Sequence, residues 1–123
     1  MRILLVGLAG AAGALCRYGI GVAVGARSFP WSTLGINVVG SFVLGLLVEV
    51  AGARGWSPGV TAPLAIGFLG AFTTFSTLAV ETDLFLRTDR AATAAAYVLV
   101  SVGLGLAAAA SGYRVGSAFA EGG

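Results

Sequence analysis

Four hydroxyl residues fall within five positions of an apolar stretch, Thr73-Thr74-Phe75-Ser76-Thr77, and Gly67 and Gly70 precede them. Hydroxyl groups can donate to an anion. Backbone carbonyls released by an unwound helix can coordinate a cation. Glycine and β-branched threonine are mediocre helix formers, so this composition predicts a break in the helix. The other reading is an unbroken helix whose hydroxyls bond back to the preceding turn.

Two further polar patterns stand in apolar surroundings. Thr33, Asn37, Ser41 and Gly45 recur every fourth residue, as do Tyr97, Ser101 and Gly105. Positions four apart share a helical face, so each helix presents a narrow polar stripe. The Asn37 amide offers two hydrogens to an anion, or it makes an interhelical hydrogen bond worth around 1 kcal/mol. Tyr97 and Ser101 offer hydroxyls to the same passage, although a tyrosine near a span end is also an ordinary interfacial anchor. Arg17 lies past the middle of its own apolar run. Its guanidinium stays charged and needs carbonyls, a carboxylate, water or a route to the interface.

These groups must be carried by elements that live in hydrocarbon. Of 123 residues, 58% are apolar and 10% charged, where a soluble domain of average usage has about 25% charged. The mean hydropathy is +0.98. Four apolar runs, Ile3–Ala26, Trp31–Val48, Gly59–Val80 and Ala91–Tyr113, approach or exceed the roughly 20 residues that cross a bilayer. The expected architecture is an all-α integral membrane domain spanning 1–123. Its helices cover about 3–26, 31–50, 59–84 and 90–113, the third is broken near its middle, and a short tail occupies 115–123. Met1-Arg2 with Ala12-Gly13-Ala14 also has the outline of a signal peptide, but three further spans would remain after cleavage. The connections are too short to house a soluble domain.

A polar side chain at membrane depth should face protein or a water-filled cavity, so the hydroxyls, Asn37 and Arg17 predict a polar seam between helices. Gly21-x-x-x-Gly25, Ser41-x-x-x-Gly45 and Ser101-x-x-x-Gly105 fit the small-residue rule for close packing in lipid. With four spans, Arg2, Arg54 and Arg114 lie on one side and Arg27, Arg87 and Arg90 on the other. Orientation follows the excess of Lys and Arg. The excess here is nil, which predicts insertion both ways up and pairing of two oppositely oriented copies.

Several classes are disfavoured by what the chain contains. It has no histidine and one cysteine, Cys16, too few for a disulfide framework or a recognisable zinc site. The formal charge of +2 comes without clustered Lys/Arg on a polar face, so no nucleic-acid partner is expected. A Walker-type phosphate loop is missing, and no catalytic residues are assigned: the chain does not read as an enzyme. No carboxylate falls in the middle of a predicted span, with Glu49 and Glu81 placed at span ends. That pattern argues against a proton-coupled cation exporter.

Gly10-Ala11-Ala12-Gly13-Ala14-Leu15-Cys16-Arg17-Tyr18, the stretch from Thr33 to Phe42 and the stretch from Gly67 to Glu81 together resemble the Fluc (CrcB) family of fluoride channels. The likeness covers all four spans. It implies a passive fluoride-selective channel, an antiparallel homodimer with two pores, in a bacterial inner membrane. It also implies a structural Na+ at the dimer centre, held by the backbone carbonyls of Gly70 and Thr73 from both copies. Asn37 would be the polar pore residue, and Phe75 the aromatic whose ring edge faces fluoride. The edge is the positive part of the ring quadrupole. Ser76, Thr77, Tyr97, Ser101 and Thr33 would supply hydroxyls along the route, and Arg17 would line or brace a vestibule. One departure stands out: Leu78 occupies the position of the family's second phenylalanine. Phe72, one turn before Phe75, is the other candidate ring.

Two other readings compete. A small multidrug antiporter is also a four-span dimer of about this size, but it needs a membrane glutamate in the first span, where this chain has Arg17 alone. A purely structural or assembly factor would have no reason to hold Asn37 and the 73–77 cluster within the bilayer.

Overall fold

The computed structural model describes all 123 residues, and every regular element in it is helical. Helices α1 (Arg2–Val24), α2 (Trp31–Ala53) and α6 (Ala91–Glu121) are continuous. The third span, Pro58–Arg87, is assembled from α3 (Pro58–Ala62), a π-helical stretch (Pro63–Leu69), α4 (Gly70–Phe72) and α5 (Phe75–Arg87). At 1.5 Å per residue, the 23 residues of α1 and of α2 reach about 34 Å, enough for a hydrocarbon layer of about 30 Å. All four spans are long and apolar enough to cross a membrane. Only 15 of the 123 residues are buried, which leaves most apolar surface for lipid or a partner. The chain is a multi-pass membrane protein.

Local chemistry sets the ends of the helices. Gly25 and Gly55 take positive φ angles of 69° and 62° where the chain turns out of α1 and α2, a conformation glycine adopts without a steric penalty. Proline stands just before α2, at Pro30, and at the first position of α3, at Pro58, where its missing N–H costs nothing. Pro63, by contrast, lies inside the third span. Lacking an N–H, it cannot serve the carbonyl one turn back, and the helix widens to π geometry from that residue to Leu69. This irregularity, ahead of the hydroxyl cluster, was not anticipated from the sequence.

Glycine contacts fix how the spans cross. A Cβ on Gly112 would stand 2.0 Å from the Phe42 carbonyl oxygen, and one on Gly45 would stand 2.2 Å from the Ala109 oxygen. Helices α2 and α6 therefore meet backbone to backbone. The same is true of α1 and the third span, where a Cβ on Gly13 would reach within 2.2 Å of the Phe68 oxygen. The Ser41/Gly45 stripe belongs to the α2–α6 seam, with the Ser41 hydroxyl lying beside Gly105. A Cβ on Gly21 or Gly25 would meet no atom of a neighbouring helix within 4 Å, so that small-residue pair is not an intrachain seam.

The last helix is longer than the hydropathy pattern predicted. The 115–123 segment does not form a separate tail, because α6 runs on to Glu121. The reason is continued packing: Gly116 lies against the Glu49 side chain, and Ser117 Oγ donates to Glu49 Oε1 at 3.0 Å. The first and third connections meet at the opposite end, where Arg90 donates to the Ser28 carbonyl at 3.2 Å.

Candidate functional site: a polar break between two cavities

The third span breaks at the predicted hydroxyl cluster. Thr73 (φ −80°, ψ 160°) and Thr74 (φ −152°, ψ 120°) are both extended, and helix resumes at Phe75. The interruption excludes the unbroken-helix reading, although one hydroxyl of the cluster still bonds back to the preceding turn. Thr73 Oγ1 bonds back to the Leu69 carbonyl at 2.9 Å. Thr74 instead caps the new helix, accepting from Thr77 N–H at 3.2 Å and donating to Thr77 Oγ1 at 3.0 Å. A threonine N-cap of this kind satisfies an otherwise orphaned amide.

Neighbouring spans supply the rest of the support. Asn37 Nδ2 donates to the Thr74 carbonyl at 3.0 Å, and Thr74 N–H donates to Asn37 Oδ1 at 2.8 Å. Arg17 Nε donates to the Ala71 carbonyl at 3.1 Å. Gly40, three residues after Asn37, makes room for the break, since a Cβ there would stand 2.2 Å from Thr73 Cγ2. Asn37 is thus an interhelical hydrogen-bonding residue, and Arg17 places one guanidinium N–H on a carbonyl of the break. Neither Gly40's part nor the target of Arg17 is written in local sequence.

The break separates carbonyls from their usual donors, those of Gly70 and Thr73 among them. In an unbroken helix the Gly70 carbonyl would accept from Thr74 N–H, and the Thr73 carbonyl from Thr77 N–H. Those two amides are bonded to Asn37 and to Thr74 Oγ1 instead. Oxygen ligands of this type suit a hard cation, so Gly70 and Thr73 fit the carbonyl pair that the family resemblance implied.

Two cavities flank the break and share Thr74 in their walls. The first, of about 310 Å³, takes in Asn37, Ser41, Thr73, Phe75, Leu78 and Ser101. Ser101 Oγ is buried there without a hydrogen-bond partner in the chain. Phe75 is 80% exposed at its rim. The second, of about 420 Å³, takes in Arg17, Thr33, Thr77 and Glu81. Phe72 joins neither wall. It is 8% exposed, stacks on Phe68 with ring centroids 5.9 Å apart, and borders a separate apolar cavity. Ser76 is exposed, with its hydroxyl 3.4 Å from Thr74 Oγ1.

Glu81 occupies a place the hydropathy pattern concealed. Helix α5 carries this carboxylate past the end of the apolar run and continues to Arg87. Thr33 Oγ1 donates to one of its oxygens at 2.9 Å and the Tyr97 hydroxyl to the other at 2.6 Å. A carboxylate in lipid needs such donors. Tyr97 is fully buried, packed edge-on against Phe29 and Phe85, so it is not an interfacial anchor. Thr74, Thr77 and Glu81, at spacings of three and four, follow one helical face. That pattern was the available signal that Glu81 belongs with the hydroxyls.

Known proteins resemble the chain over nearly its whole length. The family model described as CrcB-like protein, Camphor Resistance (CrcB), matches residues 4–113. "Fluoride-specific ion channel FluC 1" of Symbiobacterium thermophilum is 44% identical over 121 residues, covering 94% of this chain and 98% of the relative. "Fluoride-specific ion channel FluC" of Thermus thermophilus is 46% identical over 120 residues, covering 95% and 96%. "Fluoride-specific ion channel FluC 2" of Rhodococcus jostii is 48% identical over 118 residues, covering 95% and 100%. With four membrane-spanning helices, a third span broken at its hydroxyl cluster and this extent of similarity, the chain belongs to the CrcB family.

Proposed function

We propose that this protein is a fluoride-selective passive channel that lets cytoplasmic fluoride leave the cell across a bacterial inner membrane. The observation that carries the reading is one cavity wall, in which Asn37, Phe75 and the unpartnered Ser101 hydroxyl stand together beside a broken span. Relatives named fluoride-specific ion channels, 44–48% identical over more than nine-tenths of the chain, support the choice of ion.

The working unit is an antiparallel homodimer with two pores. The 80% exposure of Phe75 on a single copy supports a second copy closing the cavity from that side. The balanced arginine count supports insertion both ways up. The Gly70 and Thr73 carbonyls of both copies would hold a Na+, which would supply positive charge against the clustered carbonyl dipoles. Fluoride passes the Phe75 ring edge, which attracts an anion without a counter-charge, and exchanges between the hydroxyls of Ser101 and Thr77. Arg17 holds positive charge at the second cavity while it braces Ala71.

Such a channel needs no fuel. A membrane potential of 100 mV, negative inside, is worth about 2.3 kcal/mol per charge, roughly a fiftyfold gradient. Fluoride that enters as the neutral acid and dissociates inside is therefore driven out once a selective path exists.

The test is a fluoride-electrode measurement on proteoliposomes. The expected outcome is rapid fluoride efflux on adding a potassium ionophore, with chloride retained. Liposomes that keep their fluoride, or release chloride at the same rate, would refute the assignment.

A further inference from the structure

We infer that Asn37 is a positioning residue: its carboxamide diverts the Thr74 amide and so keeps the Gly70 carbonyl free to bind a cation. The inference rests on the channel reading for the presence of that cation, and it gives Asn37 a task apart from touching the anion. The carboxamide behaves as a detached peptide group. Its oxygen accepts from Thr74 N–H at 2.8 Å and its nitrogen donates to the Thr74 carbonyl at 3.0 Å. Both polar backbone groups of Thr74 are thereby satisfied from a neighbouring helix, which is the condition for unwound backbone at membrane depth. The Thr74 side chain is satisfied as well, by Thr77.

Without Asn37 the Thr74 amide would have one good alternative. The Gly70 carbonyl lies one helical turn back and is its normal acceptor. An unpaired amide in hydrocarbon costs several kcal/mol, so the span would tend to rewind through the break and consume a cation ligand. Two neighbours resist rewinding less directly. Arg17 holds the Ala71 carbonyl, and Gly40 accommodates the Thr73 methyl. Only Asn37 takes the amide that Gly70 would otherwise claim.

The inference predicts that two substitutions at one position behave differently. Asn37→Leu removes the acceptor. Asn37→Asp keeps an acceptor for Thr74 N–H but loses the donor and adds a charge that repels fluoride. Purified full-length protein would be compared by thermal unfolding across a titration of sodium chloride, with N-methylglucamine chloride holding ionic strength constant. Wild type is expected to be stabilised by sodium, and Ser101→Ala, which leaves the break untouched, to keep that response. Asn37→Leu is expected to weaken apparent sodium affinity at least tenfold. Asn37→Asp is expected to stay within threefold of wild type while fluoride efflux is abolished.

Wild-type sodium affinity in Asn37→Leu would overturn the inference and return Asn37 to the anion path alone. Equal loss in Asn37→Asp and Asn37→Leu would overturn it too, because the retained acceptor should protect the site. If the leucine variant does not fold, a loss of the sodium response in Asn37→Asp is sufficient to overturn it. Amide exchange resolved at Thr74 in wild type supplies an independent measurement. Slow exchange with and without sodium is expected, whereas protection only in sodium would overturn the proposal. No sodium response in wild type would remove the cation and this inference with it, yet the efflux assay would still decide the channel reading.

Discussion

Two regions of this molecule solve the problem of backbone in lipid in opposite ways. Along the α2–α6 seam both helices are continuous, their amides and carbonyls are satisfied internally, and glycines let the backbones touch. At the third span the ladder is cut, and side chains from α1 and α2 replace what is lost. The difference teaches where specificity resides. Close packing needs only the absence of a side chain. A stable break needs particular donors and acceptors at particular depths, so polar residues gather there and leave functional groups over.

The largest expected effect breaks the seam. Gly112→Val would drive a side chain into the Phe42 backbone, and overpacking of this kind costs about 3 kcal/mol or more where neither backbone can yield. Monodisperse protein should be lost in detergent; a normal thermal midpoint would show that the helices can slide apart. Next comes Glu81→Gln, which sharpens the contrast. Both hydroxyls now donate to a charged acceptor, and replacing the carboxylate by a neutral amide gives up bonding worth about 1.5–3 kcal/mol. The thermal midpoint should fall, and an unchanged midpoint would mean the Thr33 and Tyr97 bonds hold nothing together.

Phe75→Ala should affect the break's function and spare its stability. The ring is exposed on the single chain, so the monomer loses little packing. Fluoride efflux should nevertheless drop at least about tenfold, roughly 1.4 kcal/mol; full efflux would remove the ring from the path. Smallest of all is Leu78→Phe, which places a second ring in the wall that already holds Phe75 and Asn37. Efflux should rise by about twofold to fivefold, less than 1 kcal/mol. An unchanged rate would show the second ring dispensable in this chain.

Much of the fold was legible because its signals are local. Apolar runs and threonines crowded after glycines each act through their immediate neighbours. Identity of the polar candidates was legible too, since any polar group at that depth must have a purpose. Their partners were not. Phe72 and Phe75 would share a face on a continuous helix, but the two extended residues between them turn one ring inward and the other out. Glu81 sat at the margin of an apolar run, and only the tertiary structure brought the Thr33 and Tyr97 hydroxyls to its carboxylate.

The sequence by itself determined that the chain crosses the bilayer four times, that its third crossing is interrupted, and which polar groups lie at depth. These follow from transfer free energy and from the conformational limits of single residues. Tertiary structure alone decided that Asn37 serves the Thr74 backbone, that Arg17 reaches Ala71, and that α6 still packs on α2 at Gly116 and Ser117. Those pairings depend on how far each helix is rotated about its axis, and that rotation is set by glycine contacts between residues far apart in the chain.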